Sequence, residues 1–235
     1  MGDLNPFSSP KDYSEMLTKI AFGTFVVALF ATYVARKQVP EIDAALKPYD
    51  LKAKVFELEI AIGYVLPAAA VAIISRAIKL HDRISDLLGI RRRFDIAEIL
   101  LPLARGAGVP VDADKEARIE KARGSLMVSC FYAYASSTAE KAVIDKHLIV
   151  RALDQWSWYW IVVEAAVVAA ILAIILTVGG QVGLAVGIVA VGALAVPVAL
   201  HFLRKQCAEY AHREVDAILQ DATRKDSVSK AFCAI

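Results

Sequence analysis

Four apolar stretches dominate this chain: roughly Ile20–Ala35, Ile60–Ser75, Trp156–Val178 and Val182–Leu200. A bilayer core about 30 Å thick calls for about 20 apolar residues of α-helix, and the last two stretches approach or exceed that length. They are too long and too apolar to be surface helices of a soluble domain. The sequence therefore reads as an integral membrane protein. A hydrophobic content of 57% and a mean hydropathy of +0.50 agree with this, since soluble chains are roughly half apolar.

The first two stretches are marginal alone. Ile20–Ala35 reaches only about 24 Å as a helix, although Lys19 and Arg36 at its ends can snorkel to the headgroups. The second carries Pro67, which removes a helix hydrogen bond and predicts a kink. Packed as a hairpin, the two support each other. Between them, Pro40 and Pro48 bracket an amphipathic segment (Ile42, Ala45, Leu46) that suits a short interfacial helix. The expected organisation is an N-terminal segment (1–16), a first hairpin (17–79), a cytosolic helical domain (80–155), a second hairpin (156–203) and an amphipathic tail (204–235).

Within the helical domain, Asp82–Ala104 predicts two short helices, broken at Gly89 and closed by Pro102 and Gly106–Gly108. Asp112 or Asp114 can cap a longer helix from about Lys115 to Ala135. Ser137 and Glu140 have capping-box spacing and predict a helix that continues into the third span. No alternating strand pattern interrupts this body. The fold class is thus an all-α integral membrane protein with four transmembrane helices as two hairpins, a helical insert and a helical tail.

Basic residues orient it. Arg76–Arg151 holds 14 Lys and Arg and the tail from Arg204 holds 6, against 5 in the connector Arg36–Lys54. Both termini and the body are expected in the cytoplasm, where Cys130, Cys207 and Cys233 would be free thiols. Trp156, Trp158, Tyr159 and Trp160 read as an interfacial aromatic belt. Gly179-Gly180 turns the chain between the last two spans, and Gly183 and Gly187 form a GxxxG pair that permits close helix approach.

Glu164 is the sharpest single residue, because an ionisable group about two turns into a span costs on the order of 3 kcal/mol on insertion scales. Two readings stand: a pore or proton-path residue, or a structural pair with Arg76 or Lys19. Glu57 and Glu59 at the opposite end are either pore-mouth carboxylates or ordinary interfacial charges. Arg91, Arg92 and Arg93 suit anionic lipid headgroups; a phosphate-binding reading lacks a Gly-rich loop. His81-Asp82, Asp145-x-His147 and Cys130 are residue types that catalysts use, but none has a diagnostic spacing. No catalytic residue, metal ligand or cofactor is assigned, and no nucleic-acid binding is expected.

The stretch Ile84-Ser-Asp-Leu-Leu-Gly-Ile-Arg-Arg-Arg-Phe-Asp95, directly after the second apolar stretch, resembles small four-helix membrane proteins of bacterial anti-phage defence systems. The hairpin, insert, hairpin order is similar too. The resemblance implies an oligomeric inner-membrane effector that perturbs the membrane when a cytosolic partner signals, and it transfers no site residue. The expected function is a non-enzymatic, homo-oligomeric membrane effector or channel-like protein in contact with lipid and a cytosolic partner. The alternatives are an anchor that recruits a soluble partner through residues 80–155, and a small transporter.

Overall fold

The computed structural model describes residues 8–55, 58–136 and 144–235, and only the backbone of 52–55 and 58–60. The chain divides into two compact units. The apolar unit takes Leu17–His81 and Ser157–Phe202, and the body takes Ser8–Met16, Asp82–Trp156 and Leu203–Ile235.

Helix α1 (Tyr13–Gln38) opens the chain. The short α2 (Pro40–Leu46) follows, with Pro40 in its first turn, where a missing N–H costs nothing. A 3₁₀ turn at Lys47–Tyr49 leads into an antiparallel ribbon of β1 (Lys52–Val55) and β2 (Leu58–Ala61), in which Lys54 faces Glu59. The ribbon was not expected, because Val55 and Ile60 are the β-branched residues of its two strands and neither strand carries an aromatic. Glu57 lies outside the described residues, and Glu59 is described in its backbone alone.

Helix α3 (Ile62–Ile78) holds Pro67 and ends where Lys79 adopts a left-handed φ of 50°. Its 17 residues span only about 25 Å at 1.5 Å per residue. Among the described residues three helices are individually long and apolar enough to cross a membrane: α1, α10 (Lys146–Val178) and α11 (Val182–Leu219). Helix α3 reaches that standard only when joined to α4 (Leu80–Leu88) across the break.

The apolar unit packs on small residues. Ala28 of α1, Ala68 of α3 and Val168 of α10 are buried together. Toward the Gly179-Gly180 turn, Ala35, Val39, Leu172, Leu176 and Ala185 form a second cluster. A Cβ on Gly23 would fall 2.7 Å from Ile161 Cγ1, so α1 and α10 approach through that glycine.

Arg36, expected to snorkel, is instead buried at 5% exposure. Its Nη1 and Nη2 donate to Asp50 Oδ1 and Oδ2 at 2.8 and 2.7 Å, and Nε donates to Asp43 Oδ1 at 2.8 Å. The Tyr64 ring covers the guanidinium at 4.1 Å. The hydrogen-bonded guanidinium holds the Asp50 carboxyl below its ordinary range. Gly63 makes room for this clamp: a Cβ there would sit 2.4 Å from Asp50 Oδ1 and 2.9 Å from the Leu46 carbonyl oxygen. Gly63→Ala should therefore cost about 1–3 kcal/mol. A thermal midpoint equal to that of the wild-type chain would show that the clamp yields freely.

In the body, α4 ends at Gly89 (φ 62°), as expected. Helix α5 (Ile90–Phe94), a π-helical turn (Asp95–Leu100) and α6 (Leu101–Gly106) then run on continuously. Pro102 thus does not close the helix. The wider π turn before it relieves the hydrogen bond and ring clash that proline would bring to a regular α-helix. Asp112 caps α7 (Ala113–Lys121) by accepting the Lys115 N–H at 2.7 Å. After a break at Ala122 come α8 (Arg123–Leu126), a second π turn (Met127–Tyr132) and α9 (Ala133–Ala135). The Ser137–Glu140 capping box lies outside the described residues, and α10 begins only at Lys146 with Asp145 Oδ1 accepting the His147 N–H.

The C-terminal segment is not a free tail. Cys207, Ala211, Val215 and Ile218 of α11 and Val228 and Phe232 of α12 (Ala222–Cys233) join Leu100, Leu103, Ile119 and Cys130 in the core of the body. Phe232 is fully buried, so the tail is part of what makes the body a folded domain.

Candidate functional site: a buried carboxylate among three helices

Three helices of the apolar unit, α1, α3 and α10, each bring a buried polar residue to one point at helical spacing. On α1, Ile20, Thr24 and Ala28 form one buried stripe. On α3 the stripe is Ala68, Ala72 and Ser75, and on α10 it is Ser157, Ile161, Glu164 and Val168. These stripes bring Thr24, Ser75 and Glu164 to one point, and His81 of α4 completes the group.

Glu164 is 1% exposed. Its Oε2 meets Thr24 Oγ1 at 2.5 Å and accepts from Ser75 Oγ at 2.7 Å. His81 Nδ1 lies 3.5 Å from Oε1, which is ion-pair distance when the imidazole is protonated. The His81 ring sits 6.0 Å from Trp160, whose own ring is perpendicular to Tyr159. A cavity of about 170 Å³ opens beside the carboxylate between Ile20, Ser75, Arg76, Lys79 and His81. It is large enough to hold several waters.

The Thr24 hydroxyl has one proton and two acceptors, since Oγ1 also lies 3.0 Å from the Ile20 carbonyl oxygen. Two proton arrangements therefore fit the same heavy atoms. In one, ionised Glu164 accepts from both hydroxyls beside a charged imidazole. In the other, neutral Glu164 donates to Thr24, which donates back to its own helix. The cluster accommodates either arrangement without moving a helix. It contains no activated nucleophile, and among the described residues no group of three or more His, Cys, Asp or Glu could hold a metal ion.

Several expectations need correction. Arg76 does not pair with Glu164: its Nη1 donates to Thr18 Oγ1 at 3.1 Å, and Lys19 Nζ lies 4.8 Å over the Trp158 ring. The aromatic run is not a uniform belt. Trp156 packs edge-on against Phe94 in the body, Tyr159 and Trp160 are buried, and Trp158 alone is exposed. The arginine triplet is divided too, with Arg92 paired to Glu120 at 2.7 Å and Arg91 facing a cavity of the body. Cys130 is buried beside Ser129 with its thiol pushed up by burial, while His147 is exposed, so they form no dyad. Cys207 is likewise buried, its thiol pushed up to about 12.

Gly183 and Gly187 make no close contact inside the protomer. A Cβ on either would meet nothing within 4 Å, and the same holds for Gly192. Only 6% of the apolar window of α11 is buried, with Val182, Val186, Val189, Leu194, Val198 and Phe202 exposed.

Comparison with known proteins places the chain. Residues 12–232 match the YmfE protein family, which covers both units. The chain belongs to the YmfE family. It is 28% identical over 172 residues to the uncharacterized protein YmfE of Escherichia coli (strain K12), covering 70% of this chain and 69% of that protein. No solved structure matches the chain. The YmfE match runs from Asp12 to Phe232, so it takes in Thr24, Ser75, His81 and Glu164 as well as the exposed glycines.

Proposed function

We propose that this chain is a non-enzymatic, homo-oligomeric membrane effector or channel-like protein of the bacterial inner membrane, controlled from the cytoplasm. In this reading α1, α3, α10 and α11 are four spans, α3 crossing with the help of its packed neighbours, and both termini and the body are cytoplasmic. The observation that carries it is the bare apolar length of α11, with Gly183 and Gly187 open toward whatever lies outside the protomer. Lipid tails are as apolar as leucine, so small residues favour a second helix, which can approach closely, over lipid. Copies packed around an axis through this helix supply a path that one protomer, with its alanine-packed interior, does not. The likeness of Ile84–Asp95 to anti-phage effectors adds a setting, in which a signal of infection acts on the body.

The test is the mass of the detergent-solubilised particle. The wild-type chain should run as an oligomer, and Gly183→Leu with Gly187→Leu should shift it to a single protomer with the thermal midpoint of the fold kept. Membrane depolarisation on overexpression should be lost with the oligomer. A wild-type protomer of single mass would favour the alternative, an anchor that recruits a soluble partner through its body.

A further inference from the structure

The geometry points to a ligand site in the body: a cavity that takes a small organic anion bearing a planar ring, its charge held by Arg91 and its ring by Tyr13 and Tyr132. The cavity measures about 790 Å³, within the range of about 300–1,000 Å³ usual for small-molecule sites. It lies wholly within the body, and Met127, Ile149 and Leu153 give it an apolar floor. Two phenol rings, each 42% exposed, line it rather than filling the core. A half-open aromatic pair over an apolar floor is what a planar ring needs for stacking.

The charges decide the sign of the ligand. Two carboxylates and two guanidiniums line the cavity. Asp12 is committed to capping α1, its Oδ1 accepting the Glu15 N–H at 2.8 Å. Asp95 is buried and joined to Arg123 Nη1 at 2.5 Å, so each satisfies the other. Arg91 is different. Its ion partner Asp82 is 3.6 Å away, one of its N–H groups donates to the Tyr13 hydroxyl, its side chain is 45% exposed, and its backbone is anchored by donation to Ser85 Oγ. A guanidinium has five N–H donors in a rigid fork that matches a carboxylate or phosphate. Arg91 therefore offers a cation with spare donors at the edge of an aromatic, apolar chamber. This inference is independent of the oligomer reading, because it concerns the body alone.

The experiment measures binding to the full chain in detergent by calorimetry. The probes are adenosine monophosphate, indole-3-acetate and 4-hydroxyphenyl phosphate, with adenosine and inorganic phosphate as ring-only and charge-only controls. At least one ring-bearing anion should bind below about 1 mM and at least about tenfold more tightly than either control. Arg91→Gln should weaken it by about tenfold or more, and Tyr132→Leu by several-fold, with the thermal midpoint of each unliganded variant unchanged. Binding by none of the three at about 5 mM, or equal binding to wild type and Arg91→Gln, would overturn the site. If Arg91→Gln proves unfolded, protection of Tyr13 and Tyr132 from iodination by the bound probe decides instead, and no protection refutes the proposal.

Discussion

Glu164→Ala is expected to be the most damaging single substitution in the apolar unit. It takes the carboxylate partner from Ser75 Oγ and from His81 Nδ1 and removes one of the two acceptors of Thr24, leaving a void among them. Breaking a buried polar cluster from one side costs about 3–5 kcal/mol, which corresponds to a fall of roughly 6–20 °C in thermal midpoint for a chain of this size. Glu164→Gln should differ sharply. Its carbonyl oxygen can accept from both hydroxyls and its amide can donate to Nδ1 of a neutral imidazole, so stability should stay within about 1 kcal/mol. What the glutamine cannot do is exchange a proton with His81. If the cluster serves a proton-responsive path, Glu164→Gln abolishes the pH dependence of membrane conductance while the fold persists. Equal midpoints for the alanine and glutamine variants would remove the cluster's structural role.

The second large effect lies in the body. Glu214 is 5% exposed, on the face of α11 that carries Ala211, Val215 and Ile218. Burial alone pushes its carboxyl up to about 8 from an ordinary 4.5. The folded body thus binds a proton that the unfolded chain has already released above pH 4.5. Stability is fully present below about pH 4.5, declines as pH rises, and levels off above about 8, a loss on the order of 5 kcal/mol at 1.36 kcal/mol per unit. Glu214→Gln removes that slope. The variant should match the wild type at pH 4 and melt well above it at pH 8.5. Parallel pH profiles for the two proteins would show that the carboxylate reaches water or a partner.

How much of this was legible in the sequence follows from which interactions are local. Apolar length marks α10 and α11, and Gly89 and Asp112 punctuate the body where expected. Glu164 stood out because a charge inside an apolar run is rare. Its partners did not, since Thr24 and Ser75 are ordinary in membrane helices and are joined to it only by packing. Their alignment with Ile20, Ala28, Ala68 and Ala72 at three- and four-residue spacing was the available signal. Pro102 misled because proline normally ends a helix, and a π turn is not marked by composition. The tail read as a separate amphipathic helix because its apolar face carries no address for Leu100 or Ile119.

The two buried charge clusters differ most in the order in which synthesis supplies their parts. Arg36 meets its two carboxylates 7 and 14 residues downstream. At about 5–20 residues per second, both leave the ribosome within roughly one to three seconds, before α3 exists. The clamp can close on the nascent chain and hold the first connector while the next helix is made. Thr24 must wait for a carboxylate 140 residues away, roughly 7–28 seconds later. During that interval the Thr24 and Ser75 hydroxyls of α1 and α3 wait for a carboxylate that α10 has not yet supplied. The arrival of Glu164 is thus the event that registers the late half of the chain against the early half.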